Sequence, residues 1–127
     1  MSWFSGKYAA CLLLTITVTL FHHVAPAQDG PLDRVQAVVD GLRSPEQAYD
    51  ASQTVLAHPG VVACRVDHNT RNLMLQVDHG CALNADILDQ WLTGSDLHIR
   101  CYQRVPNASG PFHHLDPRHC GLDPEDK

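Results

Sequence analysis

Basic side chains are scarce and scattered in this sequence of 127 residues. It has nine Lys and Arg against fourteen Asp and Glu, which gives a net charge of −5 with neutral His. Proteins that bind nucleic acid usually carry a basic patch or stripe, and no cluster of Lys and Arg is present here. We therefore expect no nucleic-acid partner, and we interpret the acidic surface as a source of solubility.

Long hydrophobic runs are also lacking. The apolar run at residues 9–21 is too short for a helix that crosses a hydrocarbon core of about 30 Å. It follows Lys7 and precedes Ala-Pro-Ala at 25–27, an order typical of a secretory signal peptide. We predict a signal peptide over residues 1–27 and a mature chain from Gln28 that is periplasmic or secreted, with no membrane insertion.

Motifs of common enzyme classes are absent. The chain contains no G-x-S-x-G, no phosphate-binding glycine loop and no H-E-x-x-H. We therefore predict that the protein is not an enzyme.

Paired cysteines are absent as well, since no C-x-x-C occurs. Beyond Cys11 in the signal peptide, four cysteines remain: Cys64, Cys81, Cys101 and Cys120. Four cysteines in a short exported chain indicate two disulfides, for which three connectivities are possible. Metal ligation by thiolates is the alternative.

Apolar periodicity predicts six elements in the mature chain. LDRVQAVV at 32–39 is interpreted as a strand, because a helix there would leave a three-stranded sheet with a bare edge. A helix begins at Ser44 and ends near His58, before Pro59. The runs 61–66 and 72–77 flank a polar turn and predict a hairpin, with these residues facing inward: Val62, Cys64, Val66, Leu73, Leu75 and Val77.

A second helix and a last strand complete the pattern. Asn84 caps the helix, its apolar stripe consists of Ile87, Leu88, Trp91 and Leu92, and Gly94 ends it. LHIRCYQRV at 97–105 is a strand whose inward side chains are Leu97, Ile99 and Cys101. The order predicts an α+β, ferredoxin-like βαββαβ sandwich over residues 28–105, with two helices on one face of a four-stranded antiparallel sheet. Residues 106–127 form an irregular tail rich in His, Pro and Asp.

The segments VLAHPGVVACRVDHNTRNLMLQV and WLTGSDLHIRCY resemble the heavy-metal-associated domain, the module of copper chaperones, periplasmic mercury-binding proteins and metal-pumping ATPases. That family binds soft metal ions with Gly-Met-x-Cys-x-x-Cys after its first strand, because two thiolates at a helix N-terminus suit ions such as Cu(I). Aligned with this motif, Gly41 and Leu42 take the places of Gly and Met. Ser44 and Gln47 take the places of the two Cys, so the resemblance implies the fold without its soft-metal site.

Metal donors do occur together in the tail, where FHHLDPRHC spans residues 112–120. A Zn(II) or Cu(II) site could use the following side chains: His113, His114, Asp116, His119 and Cys120. Their spacing matches no tight motif, and a tail without metal, with Cys120 in a disulfide, is the alternative. A cluster of His58, His79 and Cys81 at one end of the hairpin is a further candidate.

The usual ferredoxin-like strand order limits the disulfides. It places Cys64 and Cys101 on opposite edge strands, too far apart for a bond that needs Cα atoms about 4.4–6.8 Å apart. Cys101–Cys120 is the easier pair, because the tail can fold back over the last strand, and Cys64–Cys81 is the remainder unless Cys64 is a buried thiol.

These patterns predict a small exported binding module with a possible Zn or Cu ligand in its tail. The alternative is a disulfide-stabilised interaction domain without metal, which holds a protein partner on its sheet face or an exposed edge strand. The sequence does not identify that partner.

Replacing both Ser44 and Gln47 with Cys is expected to create affinity for Cu(I), because two thiolates would then lie at a helix N-terminus. Cu(I) titration of the double variant measures this. Ser44→Ala removes the same N-cap without adding a thiol and should only cost about 1 kcal/mol of stability. A double variant with no more Cu(I) affinity than the unmodified protein would contradict the alignment.

Overall fold

The structure is a computed structural model that describes residues 30–121, which contain four strands and two helices. The elements are β1 (Leu32–Asp40), α1 (Pro45–Leu56), β2 (Val61–Val66), β3 (Asn72–Asp78), α2 (Ala85–Leu92), a short 3-10 turn (Thr93–Ser95) and β4 (His98–Val105). The predicted signal peptide lies outside these residues. Within them, no helix is long and apolar enough to cross a membrane.

The four strands form one antiparallel sheet in the order β2-β3-β1-β4. Alternate residues of β1 and β3 face the helices and are fully buried among α1 and α2: Val35, Ala37, Val39, Leu73, Leu75 and Val77. The helices contribute Ala48, Ala51 and Val55 from α1 and Leu88 and Leu92 from α2. The predicted ferredoxin-like α+β fold is confirmed. We call the side of the sheet that carries the helices the inner face and the opposite side the outer face.

The helix boundaries follow local hydrogen bonding. Asn84 caps α2, since its side chain accepts a bond of 2.9 Å from the N–H of Ile87. Helix α2 ends at Leu92 with Thr93 as its C-cap, so the predicted stop at Gly94 comes directly after the cap, within the 3-10 turn. Asp96 instead adopts the left-handed conformation, with φ of 56°, that redirects the chain into β4. Helix α1 ends at Leu56, two residues before the predicted position.

Two β-bulges overturn two predicted side-chain directions. In β2 the register shifts between Val61 and Ala63, so Val62 is 38% exposed while Val61 packs against the core. In β4 the register shifts where Cys101 and Tyr102 together oppose a single residue of β1. Tyr102 packs against the core in place of Cys101, which adopts a positive φ of 59°. An extra residue re-aims the side chains around it.

The tail folds back across the outer face of the sheet. We call residues 110–121 the strap. It contains no helix or extended strand, yet Leu115 is 1% exposed and Asp116 is 3% exposed. A disulfide between Cys101 and Cys120, with a Cα–Cα distance of 5.1 Å, ties the end of the strap to β4. The strap is therefore packed against the sheet.

A buried carboxylate joins the start of β1 to the end of β4. Asp33 is 3% exposed and lies 2.9 Å from His79 Nδ1 and 2.8 Å from the guanidinium of Arg104. The hydrogen bond with His79, followed by the bonds from Arg104 and from the Asn107 N–H, holds the pKa of Asp33 below its usual value against the opposing effect of burial. The ionised form is therefore the one that stabilises the fold.

Leu115→Ala should lower the free energy of unfolding of the oxidised protein by about 2–4 kcal/mol, because a buried leucine is lost and a cavity remains. Denaturant unfolding measures the change. The matched control is His113→Ala, which removes an exposed strap side chain and should change stability by less than about 0.5 kcal/mol. Equal effects of the two variants would show that the strap does not belong to the cooperative unit.

Asp33→Asn should destabilise the protein at neutral pH, with a difference from wild type that shrinks in acid. Because the pKa of Asp33 is lowered by folding, its ionised form stabilises the protein above the ordinary value of 3.8. That stabilisation is lost as the pH falls through the lower folded-state value. Urea unfolding at several pH values between neutral and about 3 tests this.

The control for this series is Asp50→Asn, which changes an exposed carboxylate on α1. A difference between wild type and Asp33→Asn that is as large at the acid end as at neutral pH would contradict the assigned role.

Candidate functional site

The loop between β1 and α1, where the resembling family binds metal, is closed by helix-capping hydrogen bonds. Ser44 is the N-cap and its Oγ accepts a bond of 3.2 Å from the N–H of Gln47, while Pro45 occupies the first helical turn. The Gln47 side chain folds back and accepts a bond of 2.8 Å from the N–H of Arg43. In a standard capping box the acceptor would serve the N-cap N–H, so the motif is shifted here by one residue.

The same loop contacts the turn that precedes β4. Gln47 Nε2 donates to the Ser95 carbonyl at 3.3 Å. Gly41 has a φ of 96°, and a Cβ at this position would come within 2.7 Å of the Asp96 carbonyl oxygen. Leu42 is partly buried and packs against the edge of the hydrophobic core. Glycine is required at this close approach, which accounts for its presence without a metal.

These residues do not fit a soft metal ion. A hydroxyl and an amide replace the two thiolates, and both side chains are occupied by hydrogen bonds. The pKa of Glu46 is also held below its usual value, first by its own backbone N–H and then by Ser44. The N-terminus of α1 is thus satisfied by groups of the chain itself.

The strap holds the other predicted donors, of which Asp116 and His119 are in contact with each other. His113 is exposed, and its carbonyl accepts a bond of 2.6 Å from Gln36. Asp116 is buried and bonds the Arg118 N–H at 2.8 Å and His119 Nε2 at 2.9 Å. The Sγ atom of Cys120 is bonded to Cys101. His114 lines a groove that is described below.

No preassembled metal site results from this arrangement. Among residues 30–121, no group of three or more His, Cys, Asp and Glu side chains is placed to hold a metal ion. The pKa of Asp116 is held below its usual value by the backbone N–H of Arg118 and then by the Arg118 side chain. This carboxylate already serves as a capping group for the turn that follows it.

Of the four cysteines among the residues that the structure describes, two are bonded and two are free. Cys101–Cys120 is formed, whereas Cys64 and Cys81 are free thiols, so the predicted Cys64–Cys81 bond is not present. The reason is position: Cys64 lies opposite Leu75 within the hairpin, while Cys81 follows β3 and lies beside Pro59. Burial raises the pKa of Cys64 to about 12, so its thiol is protonated and unreactive at neutral pH.

The candidate cluster of His58, His79 and Cys81 is not assembled either. The His58 ring stacks on Trp91 with centroids 3.7 Å apart. His79 pairs with Asp33. The Cys81 thiol lies near the Pro59 carbonyl, at 3.9 Å. Each side chain thus has a separate structural partner.

The outer face carries a groove that no pattern in the sequence predicts. It has a volume of about 450 Å³ and lies over β2 and β3, with strap residues as one wall. Its lining consists of Ala63, Cys64, Arg65, Met74, Gln76, Phe112 and His114. The alternation of side chains along β2 and β3 accounts for the strand residues that form the floor of the groove. No periodicity in the sequence predicts that residues 112 and 114 lie beside them.

Comparisons with known proteins return distant structural similarity. No protein-family model matches the chain, and no curated protein matches it. The N-terminal domain of PacS from Synechocystis PCC6803 is 18% identical over 53% of this chain and 92% of that chain, with a TM-score of 0.44. A chain from a structure described as "Crosstalk between Cu(I) and Zn(II) homeostasis" is 18% identical over 53% of this chain and 94% of its own, with a TM-score of 0.45. The fold assignment therefore rests on the observed element order, strand order and helix placement.

Proposed function

We propose that this protein is a small exported binding module, without catalytic activity, that holds an extended segment of a partner protein in the groove over β2 and β3. It has the fold of the heavy-metal-associated domains, and its soft-metal loop is replaced by a hydrogen-bonded helix start. The groove is the observation that carries this proposal.

The groove has the make-up of a recognition site. Its volume of about 450 Å³ is within the usual range for binding pockets, roughly 300–1,000 Å³. Met74 and Phe112 supply apolar surface, and Met side chains adapt to different occupants. Gln76 and Arg65 add polar groups at the same place. Apolar surface with a few convergent polar groups favours binding of a side chain together with its main chain.

Strand addition at the β2 edge is less favourable than binding in the groove, because this edge is blunted at both ends. Ser52 on α1 accepts a bond of 2.9 Å from the Val66 N–H, which would otherwise face a new strand. At the other end, the bulge at Val62 interrupts the regular pairing. Edges of this kind resist pairing with further strands, so the outer face is the larger open surface beside β2.

The charge at the groove favours an acidic occupant. The Arg65 side chain is 74% exposed, and its carboxylate neighbour Asp67 lies 3.9 Å away, at the outer limit of an ion pair. A carboxylate of a partner can form a closer, bidentate contact with this guanidinium. We therefore expect the segment to combine an apolar residue for Met74 and Phe112 with an Asp or Glu for Arg65.

Export and an oxidising compartment are supported by the chemistry of the chain. The Cys101–Cys120 bond is of a kind that persists in periplasmic and extracellular proteins and is rare in reducing compartments. The apolar run and small-residue site at the start of the sequence have the layout of a signal peptide. We propose a periplasmic or secreted location on these grounds.

Selection from a displayed library of eight-residue peptides should yield binders that contain an apolar residue next to an acidic one. NMR titration with the selected peptides should shift resonances of Ala63, Met74 and Gln76. Arg65→Glu is expected to weaken the binding of these peptides by at least tenfold, because the attraction between residue 65 and the acidic residue of the peptide becomes repulsion.

The matched control is Arg43→Glu, which makes the same charge change on an exposed residue of the β1–α1 loop. Equal weakening by both variants would mean that only net charge matters, and shifts confined to the inner face would place the site elsewhere. Either result would overturn the proposal.

A metal role for the tail is tested on the same protein by titration with Zn(II) and Cu(II). Binding tighter than millimolar that disappears in a variant with His113→Ala, His114→Ala and His119→Ala would assign the tail to a metal instead. Because the strap is packed on the sheet, these substitutions are preferable to truncation of the tail.

A further inference from the structure

The strap is held mainly through its main chain. Side chains on the outer face of the sheet donate hydrogen bonds to successive strap carbonyls: Arg34 to Gly110 and Pro111, Gln36 to His113, Arg100 to Pro117, and Gln103 to Cys120. Donors on β1 and β4 thus follow the strap over most of its length. Contacts of this kind recognise an extended chain with little regard to its sequence.

The Asn72 side chain forms two hydrogen bonds with the main chain of Leu115, one as donor and one as acceptor. Its Nδ2 donates to the Leu115 carbonyl at 3.0 Å, and its Oδ1 accepts from the Leu115 N–H at 2.7 Å. This side chain is fully buried and reproduces the two-bond pairing that a neighbouring strand would give. A side chain that pairs with a main chain in this way is a common element of peptide-binding surfaces.

Two strap side chains add sequence preference. Leu115 is 1% exposed, and the Phe112 ring lies 4.5 Å from the Arg34 guanidinium carbon in a cation–π contact. Asp116 follows and is buried, but its partners Arg118 and His119 lie within the strap itself. The outer face therefore selects an aromatic residue, then two residues without a strong requirement, and then Leu.

We infer that the outer face of the sheet, under the strap, is a second binding surface for an extended protein segment of the pattern aromatic-x-x-Leu. The strap of the same chain occupies this surface, and the Cys101–Cys120 disulfide holds the strap against it. This surface shares Phe112 with the groove over β2 and β3, but the inference does not require that the groove be occupied.

The disulfide can be opened by a dithiol, since Cys120 is exposed. A thiolate of the dithiol attacks Cys120 Sγ, and the electron pair of the broken bond leaves on Cys101 Sγ, which takes up a proton. The second thiol of the dithiol then displaces Cys120 Sγ, which becomes a thiol, and the dithiol ends as a disulfide. Two electrons and two protons pass to the protein.

Loss of the bond increases the population in which the strap is off the sheet. The bonded cysteines are 19 residues apart, and closure of a loop of about this length favours the closed form by a factor on the order of 100. The apparent affinity of a competing segment scales with the fraction of open protein. Reduction should therefore raise that affinity by roughly 10- to 100-fold.

The test uses a fluorescent synthetic peptide with the sequence of residues 109–121 and Cys120→Ser. Binding is measured to the full oxidised protein, to the same protein reduced with dithiothreitol, and to the variant Cys101→Ser/Cys120→Ser. We expect both disulfide-free forms to bind at least tenfold tighter than the oxidised form. The same peptide with Leu115→Ala should compete at least tenfold more weakly.

The matched control is Cys81→Ser, which removes a free thiol and keeps the disulfide. It should bind the peptide as weakly as the oxidised wild type. Hydrogen exchange of the Leu115 amide, whose partner is Asn72, reports strap opening independently of the peptide and should be faster in both disulfide-free forms.

Three results would overturn the inference. Equal peptide affinity with and without the disulfide would show that the bond does not control the surface. Faster exchange at Leu115 without peptide binding would show that the uncovered face is not a binding surface. Equal competition by the Leu115→Ala peptide would remove the stated sequence preference. The acidic peptides selected for the groove, measured on the same oxidised samples, show separately whether the groove proposal holds.

Discussion

The interaction on which most of this structure depends is the packing of the strap against the outer face of the sheet. A sheet with helices on one side leaves its other side to water unless that side is polar or covered. Here β1 and β3 place polar side chains, among them Gln36 and Asn72, on the outer face, where they are buried at 9% and 0% exposure. Buried amides are costly without hydrogen-bond partners, and the strap main chain provides those partners.

The bulge in β4 makes this arrangement possible. Without the extra residue, Cys101 would follow the alternation of the strand and face the helices. The bulge places Tyr102 in the core, where its hydroxyl reaches the Leu83 carbonyl at 3.1 Å, and leaves Cys101 free to bond Cys120. One inserted residue therefore links the core, the disulfide and the strap.

The elements of the fold could be predicted from the sequence, and the strap and the groove could not. The core-facing residues of β3 (Leu73, Leu75 and Val77) alternate with period two and the buried residues of α1 recur at helical spacing, so local periodicity was sufficient for them. Val62 and Cys101 were assigned to the wrong face because a bulge changes the period at a single residue. The predicted Cys101–Cys120 bond implied that the tail folds back, but the course of the strap could not be predicted. Most hydrogen bonds from the sheet to the strap are accepted by its main-chain carbonyls, which every residue possesses.

In the β1–α1 loop, the chemistry of individual side chains decides whether a soft metal ion can bind. The sequence alignment predicts that Ser44 and Gln47 take the places of two thiolates in the resembling family, and in the structure their oxygen atoms accept hydrogen bonds from backbone N–H groups. Such bonds stabilise a helix start and offer nothing to a soft ion. The fold alone therefore does not determine the function.

Both proposed recognition surfaces lie on the side of the sheet that carries the strap. Phe112 illustrates how closely the two surfaces are related, because one face of this ring lies under Arg34 while the residue also lines the groove. When the strap lifts from the sheet, the groove loses this wall as the outer face becomes open. A segment in the groove therefore favours the strapped form, and a segment on the outer face favours the open form. By linkage, each must weaken the binding of the other.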